Sequence, residues 1–205
     1  MAVVGFALGW LSAFLTDWVT PPEEAASIRF RSGLVRDPLV QAALAVIWAV
    51  IPFVVDGDLV RWVEGGLLAV PLVQVGVTDL RTRYVYNVVA AAGLALGLAF
   101  GWHFHQVTWW WSLVGAAGGG LAFTALYGIG RLVYRGGEPM ARGDITIAAM
   151  VGAGAAMCAA QALIYGVLAS GLLALAVLAI ARSRHVYMPY GPGLCLGGLA
   201  TLFFC

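Results

Sequence analysis

Hydrophobic residues along the chain form long runs, and charges, prolines and aromatic clusters bound them. A helix that crosses the hydrocarbon layer of a membrane needs about 20 mostly apolar residues. Runs of this length therefore predict membrane-spanning helices rather than half-buried strands. The predicted helices are residues 2–19, 39–55, 60–78, 86–102, 109–133, 145–159, 162–181 and 190–204.

The longest uncharged run needs a division. Residues 145–181 contain no charged side chain, which is more than one span of about 20 residues requires. We therefore predict two helices here, separated near Gln161.

Composition strengthens the membrane interpretation. Only 10% of the residues are charged and 62% are hydrophobic, whereas a soluble domain has about 25% charged residues. The chain lacks the polar surface to cover a globule in water, while helices in lipid satisfy their own backbone hydrogen bonds. The predicted fold class is all-α, a polytopic transmembrane helix bundle with about eight spans in a lipid bilayer.

The basic residues predict an orientation. The chain has no lysine, and ten of its 11 basic residues fall in alternate loops between the predicted helices. Basic residues accumulate in cytoplasmic loops, so we expect these four loops in the cytoplasm, both termini outside and an even number of spans. The arginines in question are Arg29, Arg31, Arg36, Arg81, Arg83, Arg131, Arg135, Arg142, Arg182 and Arg184, which leaves Arg61 on the opposite side.

One membrane-embedded domain over residues 1–205 is the simplest organisation. The polar segment 20–38 is too small to fold alone and is expected to be a short cytoplasmic loop. Residues 1–15 have no basic stretch before their apolar run, which favours a retained first span over a cleaved signal peptide. The net charge is +1, and no basic stripe with interleaved aromatics indicates nucleic-acid binding.

Cysteine and histidine positions do not indicate a metal or another cofactor. The cysteines lie in apolar stretches without Cys-x-x-Cys spacing, so we expect small lipid-facing or packing residues rather than a disulfide framework or zinc ligands. Two histidines are expected in an outer loop with no acid nearby, and the third in a cytoplasmic loop. These residues are Cys158, Cys195, Cys205, His103, His105 and His185.

Two acids differ from the rest. Asp79 and Asp144 each lie where an Arg-bearing loop meets an apolar helix, on different helices but near the same predicted membrane boundary. Two carboxyls that share a small site hold one proton between them, so they can activate water as base and acid. Hydrolysis of an amide is the chemistry that such a pair supports. A helix-end Asp at an interface is also often solvated or capping.

Three segments resemble the type IV prepilin peptidases, a class of membrane aspartic protease named for a GxGD motif. The segment Asp79-Leu-Arg-Thr-Arg-Tyr-Val-Tyr-Asn87 resembles the first family motif, an Asp followed eight residues later by Asn or Asp. Glu138-Pro-Met-Ala-Arg-Gly-Asp144 is similar to the second motif, Glu-x-Met-Gly-x-Gly-Asp. Met188-Pro-Tyr-Gly-Pro192 resembles the stretch before the last family helix. The resemblance extends over residues 67–205.

This resemblance implies a bacterial inner-membrane aspartic endopeptidase whose active site faces the cytoplasm. Its partners would be prepilin or pseudopilin leader peptides, from which it removes the short basic leader. By position, Asp79 and Asp144 would be the catalytic pair, and Gly143 would permit close backbone approach. Glu138 and Asn87 would be supporting polar residues, unless they are only loop and capping groups.

Departures from the family pattern support an alternative. Tyr86 replaces a family Pro, Ala141 replaces the first Gly of Gly-x-Gly-Asp, and Thr146 replaces a Lys. Segment 20–38 also lacks the paired cysteines of longer members, so N-methylation of the mature pilin is not expected. These departures favour an inactive peptidase-like structural subunit of a larger membrane complex.

A small transporter is a third interpretation. It would use a helix broken at glycines 118–120, although no acid or base lies deep beside them.

Overall fold

The computed structural model describes residues 1–19, 38–82, 87–133, 140–181 and 190–205, and within these ranges the chain is helical without strands. Most of the predicted loop 20–38 lies outside the described residues. The helices are α1 (Ala2–Val19), α2 (Pro38–Val54), α3 (Leu59–Thr82), α4 (Asn87–Phe104), α5 (Trp110–Val133), α6 (Arg142–Ala155), α7 (Ala159–Ala181) and α8 (Gly191–Phe204). Each predicted helix thus has a counterpart, which confirms the all-α class.

Four stretches of the described chain are long and apolar enough to cross a membrane: Leu59–Leu80, Asn87–Phe104, Trp110–Val133 and Arg142–Val177. Helices α1, α2 and α8 contribute shorter apolar stretches. Large apolar side chains such as Phe53, Leu121 and Leu132 point outward, exposed. An apolar exterior of this extent fits lipid rather than water.

Two helix boundaries differ from the sequence prediction. Helix α6 begins at Arg142, not at residue 145, so Asp144 lies in its first turn. The predicted division of the uncharged run into two helices is confirmed, but it lies at a 3₁₀ turn, Ala156–Cys158, rather than at Gln161, which is inside α7. Ala156 has a φ of 47° there, a conformation that an L-residue adopts only under strain and that ends α6. A single polar side chain on a helix surface has no such effect.

Close contacts through glycine fix the helix directions. Gly115 of α5 lies against Gly152 of α6, and Gly119 lies against Ala148, so these two helices are antiparallel. A side chain at either glycine would overlap the backbone of the other helix. Small residues allow helices to approach in lipid, where no hydrophobic force drives them together. Because α5 continues unbroken through residues 118–120, the helix break of the transporter interpretation is wrong.

Helix α8 packs against both α3 and α6. A Cβ at Gly198 would contact Leu72 of α3 and Val151 of α6, at 3.1 and 3.4 Å. On the other side, Gly93 of α4 lies between Pro71 and Met150. The end of α3 and the starts of α6 and α8 therefore meet at one end of the bundle, which we call the aspartate end.

The opposite end, called the histidine end, contains Arg61, His103 and His105. Arg61 at the start of α3 donates hydrogen bonds to the carbonyl of Phe104 at the end of α4. These three residues share one end, as the alternation of helices predicts. Most of the loop arginines used for the orientation lie outside the described residues.

Candidate active site

Asp79 lies in the last turn of α3 and is only 4% exposed. Gln74 and Thr78 on the same helix are buried as well, and the Thr78 hydroxyl donates to the Gln74 carbonyl at 2.8 Å. The C-terminal turn of a helix disfavours a negative charge. Neither solvation nor capping therefore explains an aspartate at this position.

Asp144 occupies the first turn of α6 and is 2% exposed. Its backbone N–H donates to the Ala141 carbonyl at 3.1 Å, which starts the helix. The side-chain Oδ2 is buried and makes no hydrogen bond to the described residues. Burial excludes the solvated interpretation of Asp144, whereas a hydrogen bond between its carboxyl group and the Ala141 backbone is consistent with the capping interpretation.

The structure brings the two aspartates together. Their carboxyl groups are close enough to interact electrostatically with each other. Gly191, the first residue of α8, lies against Asp79 and against Ile147 of α6, since a Cβ there would overlap the Asp79 carboxylate and approach the Ile147 side chain. Three helices thus meet at the carboxyl pair, and α8 supplies backbone where a side chain would displace Asp79.

One buried thiol lies near the pair. Cys195 of α8 interacts electrostatically with both aspartates and packs beside Gly76 of α3. It is the free cysteine among the described residues and lies in the core, as expected of a packing residue.

An apolar groove leads to the aspartate end. It has a volume of about 230 Å³ and lies between α2, α3 and α8, with Leu173 of α7 at its side. Gly76 and Leu80 of its wall flank Asp79 along α3, and Pro192 follows Gly191. The groove therefore extends along α3 to the helix turn that contains Asp79.

The remaining predicted site residues are less informative. Asn87 is exposed at the first position of α4, and Gly143 is half-buried beside Asp144. Glu138 and Tyr86 lie outside the described residues. Ala141 precedes α6 with φ −71° and ψ 144°, an extended conformation open to any residue.

The sequence prediction did not include the buried Gln74 and Thr78 on the helix of Asp79, or the contact of Gly191 with the Asp79 carboxylate. Gln74 interrupts an apolar run, and a polar side chain at that depth is itself a functional signal. Gly191 belongs to the third motif, but which atom it contacts depends on how α8 packs.

At the histidine end the expectation that no acid lies near the histidines is wrong. Glu64 Oε2 lies 2.8 Å from His103 Nδ1, with the Glu64 side chain only 8% exposed. The two residues are 39 positions apart and meet because α3 and α4 are antiparallel. Arg61 nearby donates to the Asp56 and Phe104 carbonyls.

The cysteine expectation is wrong for two of the three. Cys158 and Cys205 form a disulfide between the α6–α7 turn and the end of α8, and the two cysteines are 47 positions apart in sequence. No spacing pattern reveals such a pair, because only helix packing brings the two ends together.

His105 lies beside the disulfide, and His105, Cys158 and Cys205 could hold a metal ion. Burial lowers the pKa of His105 to about 4, opposed by a hydrogen bond to the Gly154 carbonyl and reinforced by Arg61.

These features define an all-helical integral membrane protein with a buried carboxyl pair at one end. The model of the Type IV leader peptidase family matches residues 66–179, more than half of the chain, and the chain belongs to this family. Membership indicates a leader peptidase for prepilin-type substrates, with peptide hydrolysis as the general reaction. The matched segment includes both aspartates, whereas the third motif lies beyond it. Comparisons with curated proteins and with solved structures gave no significant match.

Proposed function

We propose that this protein is a membrane aspartic endopeptidase that removes the leader of prepilin-like proteins, with Asp79 and Asp144 as the catalytic pair. One observation carries the proposal: two aspartates from different helices of a leader-peptidase family member are buried within electrostatic reach of each other. Burying two carboxyls together is unfavourable unless they share a proton. Catalysis supplies a reason for the arrangement.

The reaction follows from one proton on the pair. The ionised carboxyl accepts a proton from water as the water oxygen attacks the scissile carbonyl carbon, while the protonated carboxyl donates to the carbonyl oxygen. Collapse of the tetrahedral intermediate breaks the C–N bond, and the leaving nitrogen takes a proton from the pair. The products are a leader with a new carboxylate and a mature chain with a new amine. The general-acid and general-base roles belong to the pair as a unit, and neither role is assigned to one of the two aspartates.

The membrane arrangement is part of the proposal. Residues 1–205 form one domain whose helices α1–α8 each cross the bilayer, with α6 and α7 as separate spans because their directions are opposite. The aspartate end faces the cytoplasm, since Arg81, Arg131 and Arg142 lie in the terminal helix turns at that end. In a bacterium this places the protein in the inner membrane, as a single enzyme or within a larger complex.

The apolar groove offers a place for the substrate. A peptide bond at the membrane boundary reaches the pair only if the substrate is held there, and an apolar segment of the substrate in the groove beside Gly76 would do so. The leader would then extend past Asp79 toward the cytoplasm.

Motif departures favour an inactive structural subunit as the second candidate. Ala141 in place of the family Gly is not evidence for an inactive subunit, because the backbone conformation of Ala141 does not require glycine. Tyr86 and Thr146 remain in its favour.

Co-expression with a prepilin-like protein from the same genome tests the proposal, with leader removal read by gel mobility and mass. The wild type should cleave, and Asp79→Asn or Asp144→Asn should each reduce cleavage by about 10³-fold, a typical acid–base contribution. Asp56→Asn is the matched control, since Asp56 is exposed at the histidine end. If no offered leader is cut by the wild type, the structural-subunit candidate replaces the peptidase.

A further inference from the structure

Three ligating side chains from distant parts of the chain converge at the histidine end. His105 follows α4, Cys158 lies in the turn between α6 and α7, and Cys205 follows α8. One ligand atom from each lies within 4.8 Å of the other two. The leader-peptidase proposal uses none of these residues.

The hydrogen bonds of His105 decide which ring nitrogen is available. His105 is bonded to the Gly154 backbone carbonyl, while its Nε2 is buried with no hydrogen-bond partner among the described residues. The donor to Gly154 is therefore Nδ1–H, and the lone pair of the neutral ring is on Nε2. A carbonyl on the far nitrogen is the usual support of a metal-binding histidine. A buried nitrogen without a hydrogen-bond partner is unfavourable, and coordination of a metal ion would satisfy the Nε2 lone pair.

We propose that Cys158, Cys205 and His105 form a Zn²⁺ site when the cysteines are reduced, and that the disulfide is the oxidised, metal-free form of this site. A dithiol reductant supplies two electrons and two protons to the disulfide, leaving two thiols and an oxidised reductant. Zn²⁺ then binds both sulfurs as thiolates and the imidazole Nε2, with release of two protons. Water completes a tetrahedral set.

The dimensions fit zinc after a small movement. Zn–S and Zn–N bonds of about 2.3 and 2.1 Å place tetrahedral ligand atoms about 3.6 to 3.8 Å apart, so the His105 ring has only a short distance to move once the sulfurs separate. Two thiolates and an imidazole favour zinc over magnesium or calcium, which prefer oxygen. The site is remote from the carboxyl pair, because Arg61 and Asp79 are 18 residues apart on α3, roughly 27 Å along a helix.

Zinc content of the purified full chain tests the site directly. The protein is reduced in detergent, freed of reductant without oxygen, equilibrated with ZnSO₄, washed and assayed for zinc by mass spectrometry. Reduced wild type should retain about one zinc per chain, and the oxidised protein none. Cys205→Ser, at an exposed position, should lose at least about tenfold in zinc affinity.

His105→Phe keeps the edge contact with the Phe104 ring and should also lose at least about tenfold in affinity. His103→Phe is its control and should bind zinc as the wild type does, because His103 pairs with Glu64 outside the site. Elution volume and unfolding temperature verify that each variant is folded. Reduced wild type without zinc would overturn the proposal, as would unchanged binding by Cys205→Ser, which remains informative if His105→Phe does not fold.

Discussion

The polar residues at the two ends of the bundle differ in how they are paired. At the aspartate end, Asp79 and Asp144 each occupy a helix terminus, and backbone of α8 at Gly191 lies against Asp79. At the histidine end, Arg61 and Glu64 bind partners on α4 and are satisfied by them. Satisfied polar groups stabilise a fold, whereas two buried acids in mutual reach do not. Leader cleavage is therefore proposed for the aspartate end, whereas Arg61 and Glu64 at the histidine end stabilise the fold.

Gly191→Ala should have the largest effect of a change outside the pair itself. The added Cβ would overlap the Asp79 carboxylate and displace it by up to about 1 Å, enough to reduce leader cleavage about 10²-fold. Cleavage rate and unfolding temperature are measured together. Gly118→Ala is the control, because Gly118 has open space around it; it should raise stability by about 0.5–1 kcal/mol and leave cleavage unchanged. If Gly191→Ala cleaved the leader as fast as Gly118→Ala does, Gly191 would not contribute to the position of the Asp79 carboxylate.

Arg61→Met should affect stability without affecting chemistry. It removes charged donors from the Phe104 carbonyl, so the free energy of unfolding should fall by about 1–3 kcal/mol. Thermal unfolding in detergent measures this loss, and cleavage per folded molecule should stay within about twofold of wild type at a distance of roughly 27 Å from the pair. Arg131→Met, at an exposed position, should change stability by less than about 0.5 kcal/mol. If Arg61→Met lost cleavage activity without losing stability, the claim that Arg61 affects only stability would be wrong.

Ala141→Gly should have the smallest effect. Because Ala141 has an extended backbone with φ −71°, glycine offers no conformational advantage there, and restoring the family residue should change cleavage by less than about twofold. Kinetics of the purified variant measure this. An increase of tenfold or more would mean that the site needs glycine for substrate approach rather than for backbone conformation.

The aspartate end was largely predictable from sequence. Apolar runs locate the helices, and Asp79 and Asp144 stand out because each ends or begins a run that otherwise excludes charge. Their burial and the contact with Gly191 were not predictable, since both depend on α8 packing between α3 and α6.

The histidine end was not predictable in the same way. Glu64 and His103 are 39 residues apart, and Cys158 and Cys205 are 47 apart. No motif connects them, and their meeting depends on the antiparallel course of the helices. The turn at Ala156 was also missed, because alanine gives no sign of a positive φ.

Leader cleavage by purified protein in liposomes tests the central claim most directly. With a prepilin-like substrate from the same genome, wild type should release the leader at one bond. Asp79→Asn and Asp144→Asn should each lose about 10³-fold or more, and the double variant should be no worse than either, because the carboxyls act as a unit. A single variant that keeps more than about a tenth of the wild-type rate would contradict catalysis by the pair.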